Sequence, residues 1–318
     1  MIGCDLGRAV LVGLMAVPGI PLAVQVCLLV LVTLISAPFT SARAALYPDI
    51  LAGDRYVVGT AVTLITFQVA LVLGFSVGGA VAGFFGARTS FLVDAVTFTV
   101  SAMIIRIWVR ARPAARAVSR PEAGGRAGPL AAIRLVFTDP ALRTPVMFAW
   151  LAAFYNVPGG VSAPLAASLG GGAVATGLIL ASQALGASVG FFVFSRFVAP
   201  PRRLHWMGPL AVTACAVLLA FVFHPPLPAA LAILVLSGLF DCYQLAANAA
   251  FVRAAPARHR SSAFGVAQGG MSLGQGAAMI AAGAAAQVRL PSDVIAASGA
   301  IGALCGVVIV ASRMRADK

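Results

Sequence analysis

The chain is 318 residues long, 61% hydrophobic and only 10% charged, with a mean hydropathy of +1.00. A soluble globular domain carries about a quarter of its residues as charges, so this composition excludes one and places most of the chain in lipid. The net charge of +13 would suit nucleic acid, but the basic loops hold almost no aromatic residues, which argues against that partner.

A bilayer core takes roughly 20 apolar residues as a helix. Broken at turn-like clusters such as PGIP, GART and SLGGG and at arginine-rich stretches, the uncharged runs predict ten spans. They lie near residues 1–18, 22–43, 57–83, 89–108, 144–165, 173–197, 206–223, 227–250, 262–286 and 293–312. Run length and the lack of ten-residue alternating segments select helices over barrel strands, so the expected fold class is an all-α membrane protein. Between the fourth and fifth spans, RARPAARAVSRPEAGGRAG reads as a flexible linker. After it, PLAAIRLVFTDPALR predicts a short surface helix with Leu130, Ile133, Val136 and Phe137 turned inward. The expected organisation is a membrane half over 1–108, a linker over 109–143 and a second half over 144–318.

Of the basic residues, only Arg88 and Arg289 fall on one side of these spans. That asymmetry predicts both termini and the linker in the cytoplasm. Cys4, Cys27, Cys215, Cys242 and Cys305 all fall inside spans without a CxxC pattern, and read as small core residues with no disulfide and no metal. No catalytic motif appears, and the acids are scattered, so no enzyme is expected.

The chain repeats itself at an offset of 205. Pro21-Leu22 falls on Pro226-Leu227, Ala44-Ala45 on Ala249-Ala250, Arg55 on Arg260 and Gly78 on Gly283. Spans starting near 1, 22, 57 and 89 map onto those near 206, 227, 262 and 293, in the same direction across the membrane. The second half then has six spans and the first only four, so two helices are expected to be missing before Met1. An inverted relation of five spans to five would indicate a ten-helix drug/metabolite carrier instead.

Several stretches resemble the major facilitator superfamily, and within it a bacterial multidrug and siderophore exporter branch. They are DLGRA at the first span, a second span ending in Pro38, Arg43, Ala44, Leu46, Pro48 and Asp49, then GFSVGG, followed by Gly83, Gly86, Arg88, Phe91, Leu92 and Asp94. The family's signature loop between its second and third spans is absent, and Ala70 and Phe75 replace the first Gly and the Pro of its antiporter motif. The resemblance implies a monomeric secondary transporter of the inner (plasma) membrane. It would export a small amphipathic or drug-like molecule, driven by protons, with no cofactor; the competing expectation is a truncated, non-transporting remnant.

Asp241 is the leading proton-coupling candidate, because an ionisable group in lipid is costly and marks function by default. The rival reading is a helix-end residue reaching the headgroups. Gln68, Tyr155, Asn156, Gln183, Gln244, Asn248, Gln268 and Gln275 are polar residues within spans, either lining a midplane cavity or bonding between helices. Gly74, Gly78 and Gly79 place small residues on one helical face, as a gate or as ordinary packing. Asp5 and Arg8 are one turn apart and are expected to pair as an anchor, and Asp94 reads as a partner of Arg88 or of a helix end.

Overall fold

The computed structural model describes residues 2–50, 54–108, 129–256 and 260–316. The linker from 109 to 128, Arg258 and Lys318 lie outside the described residues. So do the side chains at 37–38, 40–50 and 54–65, which include Pro38, Arg43 and Arg55, and those of Leu130, Arg260 and Arg315.

The described residues form helices and no strand. They are α1 (Ile2–Met15), α2 (Leu22–Ile50), α3 (Asp54–Trp108), α4 (Pro129–Thr138), α5 (Pro140–Trp150), α6 (Ala152–Tyr155), α7 (Val157–Gly160) and α8 (Ser162–Ser168). There follow α9 (Ala173–Phe197), α10 (Pro200–Ala216) with a 3-10 extension over Val217–Phe223, α11 (Leu227–Phe240), α12 (Tyr243–Ala254), α13 (Arg260–Ala285) and α14 (Pro291–Ala316). Helix thus stands at each of the ten expected positions, and the chain is an all-α membrane protein. Among the described residues five stretches are long and apolar enough to cross a bilayer, the longest being Thr66–Trp108 with 43 residues, and the bent run from Pro140 to Ser168 makes a sixth if it is one span.

Local chemistry sets the breaks. Proline opens α4, α5, α10 and α14, where its missing N–H is one that no helix would have used. The Asp139 side chain accepts from Ala141 N at 2.9 Å and so caps α5. In α3, Gly86 adopts φ 82 and ψ 166, a conformation that only glycine takes readily, and divides the helix into two arms. Two helix boundaries coincide at an offset of 205 residues. Leu22 and Leu227 both open helices, and the Gly86 break falls on Pro291, which opens α14.

The chain divides into two compact units, Met1–Ala70 with Val77–Glu122, and Leu71–Ser76 with Ala123–Lys318. In the first unit, α1 turns Asp5, Arg8, Val12 and Met15 inward as one stripe. In the second, Phe148, Leu165, Leu218, Phe221, Leu234 and Ile295 form a fully buried core. The closest approach there is of α9 to α11. A Cβ added at Gly186 would stand 2.0 Å from Val235 O, and one at Gly190 2.1 Å from Leu239 O. Only hydrogen fits at these two positions.

The helix expected to lie on the surface is α4, and of Ile133, Val136 and Phe137 only Val136 turns inward as expected. Ala132 and Val136 are buried, Val136 in a small cluster with Leu142, Val146 and Phe251. Ile133 and Phe137 instead remain about two-fifths exposed, and Phe137 stands edge-on to Trp150 at 5.8 Å. Of the cysteines, only Cys215 and Cys242 are buried.

Candidate functional site

The site begins where a helix fails. Pro158 lacks an N–H, so the carbonyl of Phe154, one turn back, loses its helical donor. Gly159 N turns to Asn156 O at 3.0 Å, a tighter turn than an α-helix makes. In lipid such freed carbonyls need replacement partners, and side chains from neighbouring helices supply them. Ser298 Oγ of α14 donates to Phe154 O at 2.6 Å, and Gln183 Nε2 of α9 to Tyr155 O at 2.9 Å. About two turns earlier, Tyr243 Oη donates to Phe148 O at 3.0 Å and Gln244 Nε2 to Ala149 O at 3.1 Å. Trp150 Nε1 completes the fastening by donating to Ala267 O of α13 at 2.9 Å.

A second break faces this one. Between α11 and α12 the backbone tightens, with Asp241 N donating to Gly238 O at 3.0 Å and Gln244 N to Asp241 O at 2.9 Å. Asp241 therefore sits at a junction, not inside a regular helix. Its carboxylate accepts from the Tyr155 hydroxyl. Gln244 Nε2 donates to the same Tyr155 oxygen at 3.0 Å, and the ring of Tyr243 stands edge-on to that of Tyr155 at 6.2 Å. Gln183 Nε2 also reaches Asn156 Oδ1 at 3.1 Å. Tyr155 and Tyr243 are fully buried, whereas Asp241 keeps partial access.

Five residues singled out from the sequence therefore join one network: Tyr155, Asn156, Gln183, Asp241 and Gln244. Gln244 also lines a cavity of about 250 Å³ with Asn248 and Gln268, walled by Phe251, Phe264 and Met271. Gln275 lines no part of that cavity. Gln68 belongs to the other unit. The sequence reading missed Tyr243 and Ser298. Their signal was a hydrogen-bonding tip on an otherwise apolar helix, which inside lipid needs a partner.

In the first unit, Asp5 and Arg8 form a buried ion pair within α1. Ser101 Oγ donates to Asp5 Oδ2 at 2.7 Å, and the guanidinium lies 4.5 Å from the Phe39 ring and 4.7 Å from that of Phe98. One expectation needs correction. Among the described residues Asp94 meets Thr97 at 3.4 Å and makes no ion pair with Arg88. A Cβ at Gly74 or Gly78 would meet nothing within 4 Å among the described residues.

The family model of the Major Facilitator Superfamily matches residues 155–318, a stretch that opens on Tyr155 and contains Asp241. No curated protein matches the chain significantly.

Proposed function

The chain belongs to the major facilitator superfamily, a family of secondary transporters, and from that premise we propose that it exports a small amphipathic or drug-like molecule in exchange for protons. Asp241 is the carboxylate that takes up and releases the proton. The observation that carries this reading is the Tyr155–Asp241 hydrogen bond, formed where two interrupted helices face each other. Interrupted helices are where transporters of many folds hold their cargo and coupling ions, because an irregular backbone in the membrane is tolerated where it is buried in protein or lines a cavity.

A proton arriving at Asp241 removes its negative charge and turns one carboxyl oxygen into a donor, which weakens its hold on Tyr155 and lets Tyr155 and the Gln244 bonded to it change partners. Gln244 belongs to both the carboxylate network and the cavity wall, so it links proton and cargo. The mixture of amide groups from Gln244, Asn248 and Gln268 with the rings of Phe251 and Phe264 suits a molecule with one polar and one apolar part. Charge distribution supports an inner-membrane orientation with the arginine-rich ends in the cytoplasm.

The test is dye uptake into inside-out vesicles under an imposed pH gradient. The wild-type chain accumulates a lipophilic fluorescent dye, Asp241→Glu retains part of the flux, and Asp241→Asn loses the gradient-driven component. Gradient-driven uptake that survives Asp241→Asn undiminished removes the coupling role.

A further inference from the structure

We infer that the second unit carries a binding site for an anionic phospholipid at its arginine-bearing end, separate from the Tyr155–Asp241 network. The site is a cavity of about 880 Å³ framed by the start of α5, α10, the end of α12 and the end of α14. Arg143, Arg253 and Arg313 line it, and no carboxylate does. Arg143 and Arg253 bring two like charges to one cavity, and an anion held there offsets their repulsion. Arg143 and Arg253 are exposed, and among the described residues neither forms an ion pair.

The rest of the lining decides what kind of anion fits. Thr144 and Ser312 add hydroxyls beside the arginines, while Met207 and Ile309 continue the wall as apolar surface. A free inorganic anion has no use for that apolar wall, whereas a phospholipid places its phosphate among the arginines and its chains along the apolar side. The charge distribution assigns this end of the helices to the cytoplasmic leaflet, where anionic lipids are enriched and basic pockets between helices hold their headgroups. Arg313 and Ser312 lie in the last turns of α14 and Arg253 near the end of α12, so a bound headgroup would touch both helix ends.

The experiment is a native mass spectrometry titration of the full chain in neutral detergent, with phosphatidylglycerol, phosphatidylcholine and glycerol 3-phosphate as probes. Phosphatidylglycerol is expected to bind more tightly than phosphatidylcholine. The double variant Arg143→Gln/Arg253→Gln should lose affinity for it by about fivefold per arginine removed. The charge-preserving double variant Arg143→Lys/Arg253→Lys should keep most of the affinity, which separates loss of charge from loss of fold. Equal binding of the two lipids, or unchanged phosphatidylglycerol binding by the glutamine double variant, overturns the inference. Glycerol 3-phosphate displacing the lipid at equal concentration overturns it too, because the site would then recognise a free anion.

Discussion

The Tyr155 hydroxyl donates to the Asp241 carboxylate across 86 residues of sequence, and each of the two residues sits where its helix is interrupted. Removing the donor leaves the carboxylate without that partner. Tyr155→Phe is expected to cost about 1–3 kcal/mol, the usual penalty for an unsatisfied buried polar group. Thermal unfolding in detergent should show a lower midpoint, and transport should fall with it. An unchanged midpoint would mean that the hydrogen bond contributes nothing to the fold.

Ser298 and Pro158 make a sharper pair. Ser298→Ala strips the donor from Phe154 O, and the expected loss is again about 1–3 kcal/mol. Pro158→Ala restores a backbone N–H one turn away, so in the double variant the serine should matter less. A double-mutant cycle on unfolding midpoints checks this, and strict additivity would contradict the role given to Ser298.

How much of this was legible in the sequence differs from residue to residue. Asp241, Tyr155 and Gln244 stand out as polar groups in apolar runs, because lipid makes every such group conspicuous. That Tyr155 meets Asp241 was not legible, since no local spacing relates residues that lie on different helices. The break at Asn156 had a visible cause in NVPGG, yet composition alone reads through it as one continuous span. Glycine spacing shows a different limit. GFSVG at 74–78 and GASVG at 186–190 have the same pattern, and only the second meets a neighbouring backbone among the described residues. Such spacing says that a helix permits a close neighbour, not that it has one.

That contrast gives a paired prediction. Gly190→Ala forces its new Cβ against Leu239 O and should destabilise by about 1–3 kcal/mol through overpacking. Gly78→Ala meets open space and should be neutral, or should stabilise by up to about 1 kcal/mol through helix propensity. Unfolding midpoints of the two variants measured side by side decide the matter. Equal effects would contradict the packing described for α9 and α11.

The ion pair of the first unit makes a third demand on stability. Asp5 and Arg8 are both buried, so Arg8→Gln leaves a carboxylate with only Ser101 as a strong partner among the described residues. Breaking one side of a buried pair costs about 3–5 kcal/mol. The double variant Asp5→Asn/Arg8→Gln should recover much of that loss. Chemical denaturation of the three variants measures it, and a double variant as unstable as the sum of the singles would show that the two residues act separately.

Proton exchange at Asp241 is measured most directly as proton movement itself. Proteoliposomes holding the purified chain and an internal pH-sensitive dye should acidify or alkalinise when a transported lipophilic substrate is added, without any imposed gradient. The expected result is a substrate-dependent pH change in the wild type that disappears in Asp241→Asn while the variant still binds the substrate. A proton flux of wild-type size in Asp241→Asn contradicts the assignment of Asp241 as the coupling carboxylate.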